Sequence, residues 1–104
     1  MKRDQVLQQA EKLIKGQRAK DYGDAYHNHW RIAQGWNVIV QSAMEQGGVL
    51  KPTHVALMMD WLKTSRLLGT LDHADSWVDK AGYTALGGEF SEREKGTMED
   101  NDYY

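Results

Sequence analysis

Residues 53–69 read Thr-His-Val-Ala-Leu-Met-Met-Asp-Trp-Leu-Lys-Thr-Ser-Arg-Leu-Leu-Gly. Val55, Met58, Met59 and Leu62 recur at intervals of three and four, the repeat of an α-helix rather than of a strand. Lys51-Pro52-Thr53 opens this helix, with Thr53 the predicted N-cap, and the pattern runs to about Gly69. The same repeat continues outward on both sides. Upstream, residues 24–46 carry a stripe of Tyr26, Trp30, Ala33, Val40 and Met44, with Trp36 and Ala43 alongside. Asp24 caps that helix and Gly47-Gly48 ends it. Further upstream, Val6, Leu7, Ala10, Leu13 and Ile14 mark a helix over 4–15, with Asp4 as N-cap and Gly16 in the position of a terminating glycine. Downstream, Ala74, Val78, Ala81, Gly82, Ala85 and Leu86 mark a fourth helix over 74–88, stopping near Gly87-Gly88.

Four helices, no alternating strand pattern and short connections predict an all-α, four-helix bundle-like single domain over residues 1–90. Residues 91–104 hold five acids and two bases and read as a disordered acidic tail. The whole chain has 13 bases and 15 acids, so the domain without its tail keeps eleven against ten. That balance lacks the basic stripe of a duplex nucleic-acid binder. There is no cysteine, hence neither a disulfide frame nor thiolate chemistry. No apolar run reaches the roughly 18 residues a membrane span requires, and the first residues lack a signal-peptide core, so a cytoplasmic location is expected.

Several residues interrupt the apolar pattern. On a wheel of about 100° per residue, Arg66 falls between Leu62 and Met59, inside the stripe of residues 53–69, and Lys63 lies at its edge. A guanidinium aimed at a core requires a partner, either an internal aspartate or a bound anion. Asp75 and Asp79, four apart on the fourth helix, are the obvious carboxylates. A cation between them could be Arg66, Lys63 or Mg²⁺, while Asp75 could also serve only the helix dipole. Asn37, inside the second stripe, should bond internally or face a ligand. Gly82 in mid-helix suggests close approach by a helix or a ligand. Lys20-Asp21-Tyr22-Gly23-Asp24 precedes a helix N-terminus and, with Lys15 and Arg18, could receive a phosphate or simply be a solvated loop. His27 and His29 point in different directions and are poor co-ligands for zinc, and His54 and His73 are expected to be exposed. The tryptophans read as core, except Trp77, whose position opposite Asp75 suggests a dimer contact.

Three pieces in order carry a resemblance: Lys20-Asp21-Tyr22-Gly23-Asp24; Ala56-Leu57-Met58-Met59 leading to Leu62-Lys63 and Arg66-Leu67; and Asp75-Ser76-Trp77-Val78-Asp79-Lys80-Ala81-Gly82-Tyr83 with Ala85-Leu86. Over roughly residues 5–90 the chain resembles a family of short, uncharacterised phage helical proteins. More distantly it is similar to nucleotide-modification-associated domains with a K-x-D-Y-G-D-like loop, a K-x-x-R helix and a D-x-x-x-Y helix. The last helix also looks like the final metal-binding helix of MazG-type all-α nucleoside triphosphate pyrophosphohydrolases. Those enzymes hold Mg²⁺ with two acidic pairs. Here Asp75 and Asp79 stand at the second pair, spaced four apart where that family has three. The first pair has no counterpart, since the second helix offers only Glu45 and the third only Asp60. A small phage nucleotide kinase family without a Walker loop is similar in its K-x-x-(x)-R helix followed by an acidic helix, and this chain has no G-x-x-x-x-G-K-[ST] either.

The resemblance implies phage nucleotide metabolism in host cytoplasm. The corresponding site is a nucleotide or nucleoside phosphate held between the third and fourth helices. Lys20, Tyr22, Asp24, Lys63, Arg66 and Tyr83 would bind it, Asp75 and Asp79 would hold Mg²⁺, and the chain would act as a homo-oligomer. Pyrophosphohydrolase or kinase chemistry would extend that reading. The alternative is a non-enzymatic phage effector that sequesters a nucleotide signal or binds a host protein.

Overall fold

The computed structural model describes residues 1–16 and 24–95, which form four α-helices: α1 (Arg3–Lys15), α2 (Ala25–Gln46), α3 (Pro52–Gly69) and α4 (Ala74–Glu94). Among the described residues there is no strand, so the chain is all-α, as its periodicity requires. The bundle centres on α3, which packs against both α2 and α4; α1 packs against none of the other helices.

The helix ends differ from expectation in instructive ways. Asp24 caps α2 as predicted, its Oδ1 accepting the Tyr26 N–H at 3.0 Å. α1 starts one residue before Asp4, and the Lys2 N–H donates to Gln5 Oε1 at 2.8 Å, which leaves Asp4 in the first turn beside the positive end of the dipole. Thr53 is not the cap of α3 either. Lys51 takes that position because Pro52 is already helical, and proline suits the first turn, where its missing N–H leaves no bond unmade. The largest difference is the end of α4, which passes through Gly87-Gly88 and continues to Glu94. Two glycines weaken a helix by only about 1 kcal/mol each, and tertiary contacts outweigh that. Gly87 is buried, and a methyl added there would sit 3.3 Å from Ala56 Cβ, so the glycine admits α3 at close range. About two turns on, Glu94 accepts the Thr53 N–H at 3.3 Å and the Thr53 hydroxyl at 2.5 Å, which ties the last turn of α4 to the first of α3. Residues 91–94, acidic in composition, are therefore helical. Residues 96–104 lie outside the described residues.

The α2–α3 interface is built from polar reach across small residues. The Trp36 indole N–H donates to the Met58 carbonyl at 2.7 Å, and the Trp61 indole N–H donates to the Arg31 carbonyl at 2.9 Å. The buried Ser65 hydroxyl lies 2.8 Å from Asn28 Oδ1 and 3.2 Å from the Asn28 carbonyl, while Arg31 Nη2 donates to the Ser65 carbonyl at 3.2 Å. Each of these is a non-local bond that satisfies a buried group and fixes register.

The apolar core is small. Ile32, Ala43, Ala56 and Leu67 are its buried hydrophobic members, whereas eighteen large hydrophobic side chains of the described residues are exposed. The stripe of α2 expected to be core is among them, with Tyr26, Trp30 and Met44 exposed. α2 carries two apolar faces, and the one meeting α3 is the other, holding Asn28, Ile32, Gly35 and Ala43. Trp36 and Trp61 are half-buried, and Trp30 and Trp77 are exposed, so only half of the tryptophans behave as core. Every residue of α1 is exposed.

Candidate functional site

The seam between α3 and α4 gathers most of the charged residues singled out by the sequence. Lys63 reaches from α3 with its side chain only 12% exposed, and its Nζ lies 3.0 Å from Asp79 Oδ2 on α4. Asp79 is 51% exposed, so its carboxylate faces Lys63 on one side and water on the other. Asp75, one turn earlier on the same face, is exposed in the first turn of α4. Arg66 is half-buried on α3, three residues beyond Lys63, at the depth its place in the stripe demands. Lys63 thus pairs across the seam with Asp79, while Arg66 follows it along α3 and Asp75 precedes Asp79 along α4. The expected position of Lys63 at the stripe's edge understates its burial, since its side chain is only 12% exposed.

A second set of pairs lies on the same seam. Asp60 on α3 accepts from the Lys80 ammonium and from the Thr84 hydroxyl on α4. Nothing in local periodicity marks these residues, because Lys80 and Thr84 look like solvent-facing positions until α3 is laid against them. Asp60 stood out only as a lone carboxylate on α3, and it serves in a structural pair.

Tyr83 is half-buried where α3 and α4 form an apolar groove of about 360 Å³, lined also by Val55, Ala56, Met59, Leu86 and Phe90. Asp24 is committed to the start of α2, where besides its N-cap bond it stands 2.8 Å from His27 Nδ1. Lys20 and Tyr22 lie outside the described residues. The structure therefore joins Lys63 to Asp79, with Arg66 three residues further along α3, Asp75 one turn before Asp79 and Tyr83 one turn after it on α4; among the described residues the bonds of Asp24 are local to α2.

Other expectations are corrected by the packing. Around Gly82 an added methyl would meet nothing within 4 Å among the described residues, so none of the four helices approaches it. Asn37 is exposed and not internally buried. His54 is half-buried, its Nδ1 accepting the Lys51 N–H at 2.9 Å, and His73 is half-buried at the start of α4, bonded to the Ser76 hydroxyl at 2.7 Å. His54 turns inward to satisfy a backbone N–H at the helix start, whereas His73 is held by a side chain, the Ser76 hydroxyl. Among the described residues no three His, Asp or Glu side chains converge as a metal cluster, and no helix is long and apolar enough to cross a membrane.

The family model of a domain of unknown function, DUF6378, matches residues 5–91. The chain belongs to the DUF6378 family. That match runs from the first turn of α1 to near the end of α4, and it includes Lys63, Arg66, Asp75, Asp79 and Tyr83. Among its relatives, the Gene 55 protein of Mycobacterium phage L5 is 44% identical over 81 residues, 78% of this chain and 49% of that protein. The Gene 55 protein of Mycobacterium phage D29 is 34% identical over 80 residues, 77% of this chain and 49% of that protein. The chain therefore spans about half the length of these curated relatives. No solved structure matches. These findings place the chain in an uncharacterised phage helical family.

Proposed function

We propose that this DUF6378 protein binds a nucleotide or nucleoside phosphate along the α3–α4 seam. The observation that carries the reading is Lys63, whose side chain is only 12% exposed and whose ammonium is set 3.0 Å from a carboxylate that is half in water. Removing a lysine from water costs several kcal/mol, and a half-exposed carboxylate repays that only in part. A phosphate can take the place of Asp79 against Lys63, with Arg66 one turn on as the second cationic group. Displacing Asp79 leaves two carboxylates, Asp75 and Asp79, on one face of α4. Mg²⁺ is commonly held by one or two carboxylates together with the phosphates of the substrate, so this donor set fits a metal that arrives with the nucleotide. Tyr83, in its apolar groove, offers a face for the base, and Lys20 and Tyr22 precede α2 as candidates to close the site.

Binding is the core of the reading, and Mg²⁺-dependent pyrophosphohydrolase or kinase chemistry is its extension. A second reading rests on the exposed Trp30 and Trp77, the residue type found at protein-binding hot spots: a non-enzymatic effector that sequesters a nucleotide or engages a host protein. Thermal denaturation and equilibrium binding with a panel of nucleoside mono-, di- and triphosphates, with and without Mg²⁺, test the proposal. A rise in melting temperature with one nucleotide class, lost in Lys63→Met, supports it. Product formation would favour the enzyme, and tight binding without product the sequestering effector. No nucleotide effect at millimolar concentration would sink the reading.

A further inference from the structure

We infer that α1 of one copy of this chain packs along the outer face of α2 of a second copy, so that two copies exchange α1 in a symmetric dimer. The inference rests on neither functional reading, and it leaves the α3–α4 seam open. Its starting point is α1. Val6, Leu7, Ala10, Leu13 and Ile14 lie within about 120° of one another on a helix of 3.6 residues per turn. Every residue of α1 is exposed, and among the described residues α1 packs against no other helix. A helix of 13 residues is marginal in water on its own and is held by the packing of its apolar face. That packing has to come from outside the copy that carries it.

The face that fits it is on α2. Tyr26, Trp30 and Ala33 share the side of α2 turned away from Asn28 and Gly35, which meet Ser65 and Trp61 of α3. Tyr26, His29 and Trp30 line an open hollow of about 230 Å³ there. The two stripes also complement each other in size. With Ala10 set against Trp30, the large pairs Val6-Leu7 and Leu13-Ile14 fall one turn to either side, where α2 has Ala33 and Tyr26. The small residue of each stripe then receives the bulk of the other, as interdigitating helices require. This register holds for either direction of α1.

The occupant is a second copy because the matching pair of faces lies on this chain and is not joined within it. In the structure α1 stands clear of its own α2, so both stripes of one copy are open to those of another. Exchange satisfies both at once. Each copy gives its α1 and receives its partner's, and the two equivalent contacts close the assembly as a two-fold. Leu7, Ile14 and Tyr26 are at least 70% exposed, and Val6, Leu13 and Trp30 about half. Covering them buries on the order of 600 Å² per partner, and the polar residues at their margins bring this near the ~800 Å² of a stable interface.

The test is the mass of the full chain in solution by light scattering and sedimentation. The wild type should run at twice 11.9 kDa at micromolar concentration. Trp30→Ala removes an aromatic anchor, and Ala10→Trp sets two indoles in one place. Each should raise the dimer dissociation constant at least about tenfold. Both positions are exposed within one copy, so helical content should be retained. The double variant Ala10→Trp/Trp30→Ala exchanges large for small and should recover part of the loss. Trp77→Ala, on α4, should leave the dimer intact. A wild type that stays monomeric at several hundred micromolar overturns the inference, whether α1 is then free or folded onto its own α2. So would a dimer that neither single variant weakens, one that Trp77→Ala dissociates, or a double variant in which the two losses simply add. Should Ala10→Trp or Trp30→Ala fail to fold, Leu7→Ala and Tyr26→Ala, milder changes on the same two faces, carry the same expectation of a weakened dimer and overturn the inference if they leave it unchanged.

Discussion

At Gly35 a methyl group would lie 2.0 Å from Trp61 Nε1, inside the indole that donates to the Arg31 carbonyl. No rearrangement short of moving that indole relieves the overlap. Gly35→Ala should therefore destabilise the protein by at least about 2 kcal/mol, even after the gain in helix propensity, and chemical denaturation would measure it. A variant as stable as wild type would mean that Trp61 does not occupy this place. The site residues respond differently. Lys63 is mostly covered but its partner is half in water, so Lys63→Met should cost only about 1 kcal/mol while weakening nucleotide binding at least about tenfold. At this scale the sequence was partly legible. Arg66 and Lys63 stood out because a charge inside an apolar repeat is visible in one helix. Gly35, Asp60, Lys80 and Thr84 did not, because each acquires its meaning from a residue 20 or more positions away.

Each helix was legible because three-and-four spacing is a property of the segment itself, but its ends and its buried face were not. The end of α4 is decided by Ala56 receiving Gly87 and by Thr53 bonding Glu94, contacts from 31 and 41 residues away. Glu94→Ala should then fray the last turn of α4 and lower stability by about 1–2 kcal/mol, the loss of a charge-assisted bond at a helix start. Amide exchange should report it first in residues 88–94. Likewise, two apolar faces on α2 could not be ranked without knowing which one meets α3. Gly82 gives a cleaner element-scale test. With nothing within 4 Å, Gly82→Ala should stabilise the isolated fold by up to about 1 kcal/mol in thermal denaturation. A loss of stability there would mean that something beyond this chain's own helices presses on α4.

For the molecule as a whole, the bundle centred on α3 leaves the proposed nucleotide site and an apolar groove on adjoining stretches of one seam, and Asp79 links them through the helix it shares with Tyr83 and Leu86. That position lets one substitution separate the readings of the seam. If Asp79 only neutralises Lys63, Asp79→Asn keeps the shape, loses the charge, and lowers the melting temperature whether or not nucleotide is present. If the carboxylate turns to Mg²⁺ when phosphate takes Lys63, the apo protein is weakened in the same way, but the nucleotide response changes in kind. An amide is a poor ligand for a hard cation, and its removal of a negative charge eases phosphate approach to Lys63. The Mg²⁺-dependent part of the stabilisation should then vanish while the Mg²⁺-independent part persists or grows. Saturation at about a hundred times the dissociation constant adds about 2.7 kcal/mol to the bound protein. At about 4–8 °C per kcal/mol for a domain of this size, the wild-type shift should exceed roughly 10 °C and be easily divided into its two parts. Equal shifts with and without Mg²⁺ in both wild type and Asp79→Asn would remove the metal from the site and leave Lys63 and Arg66 as its whole chemistry.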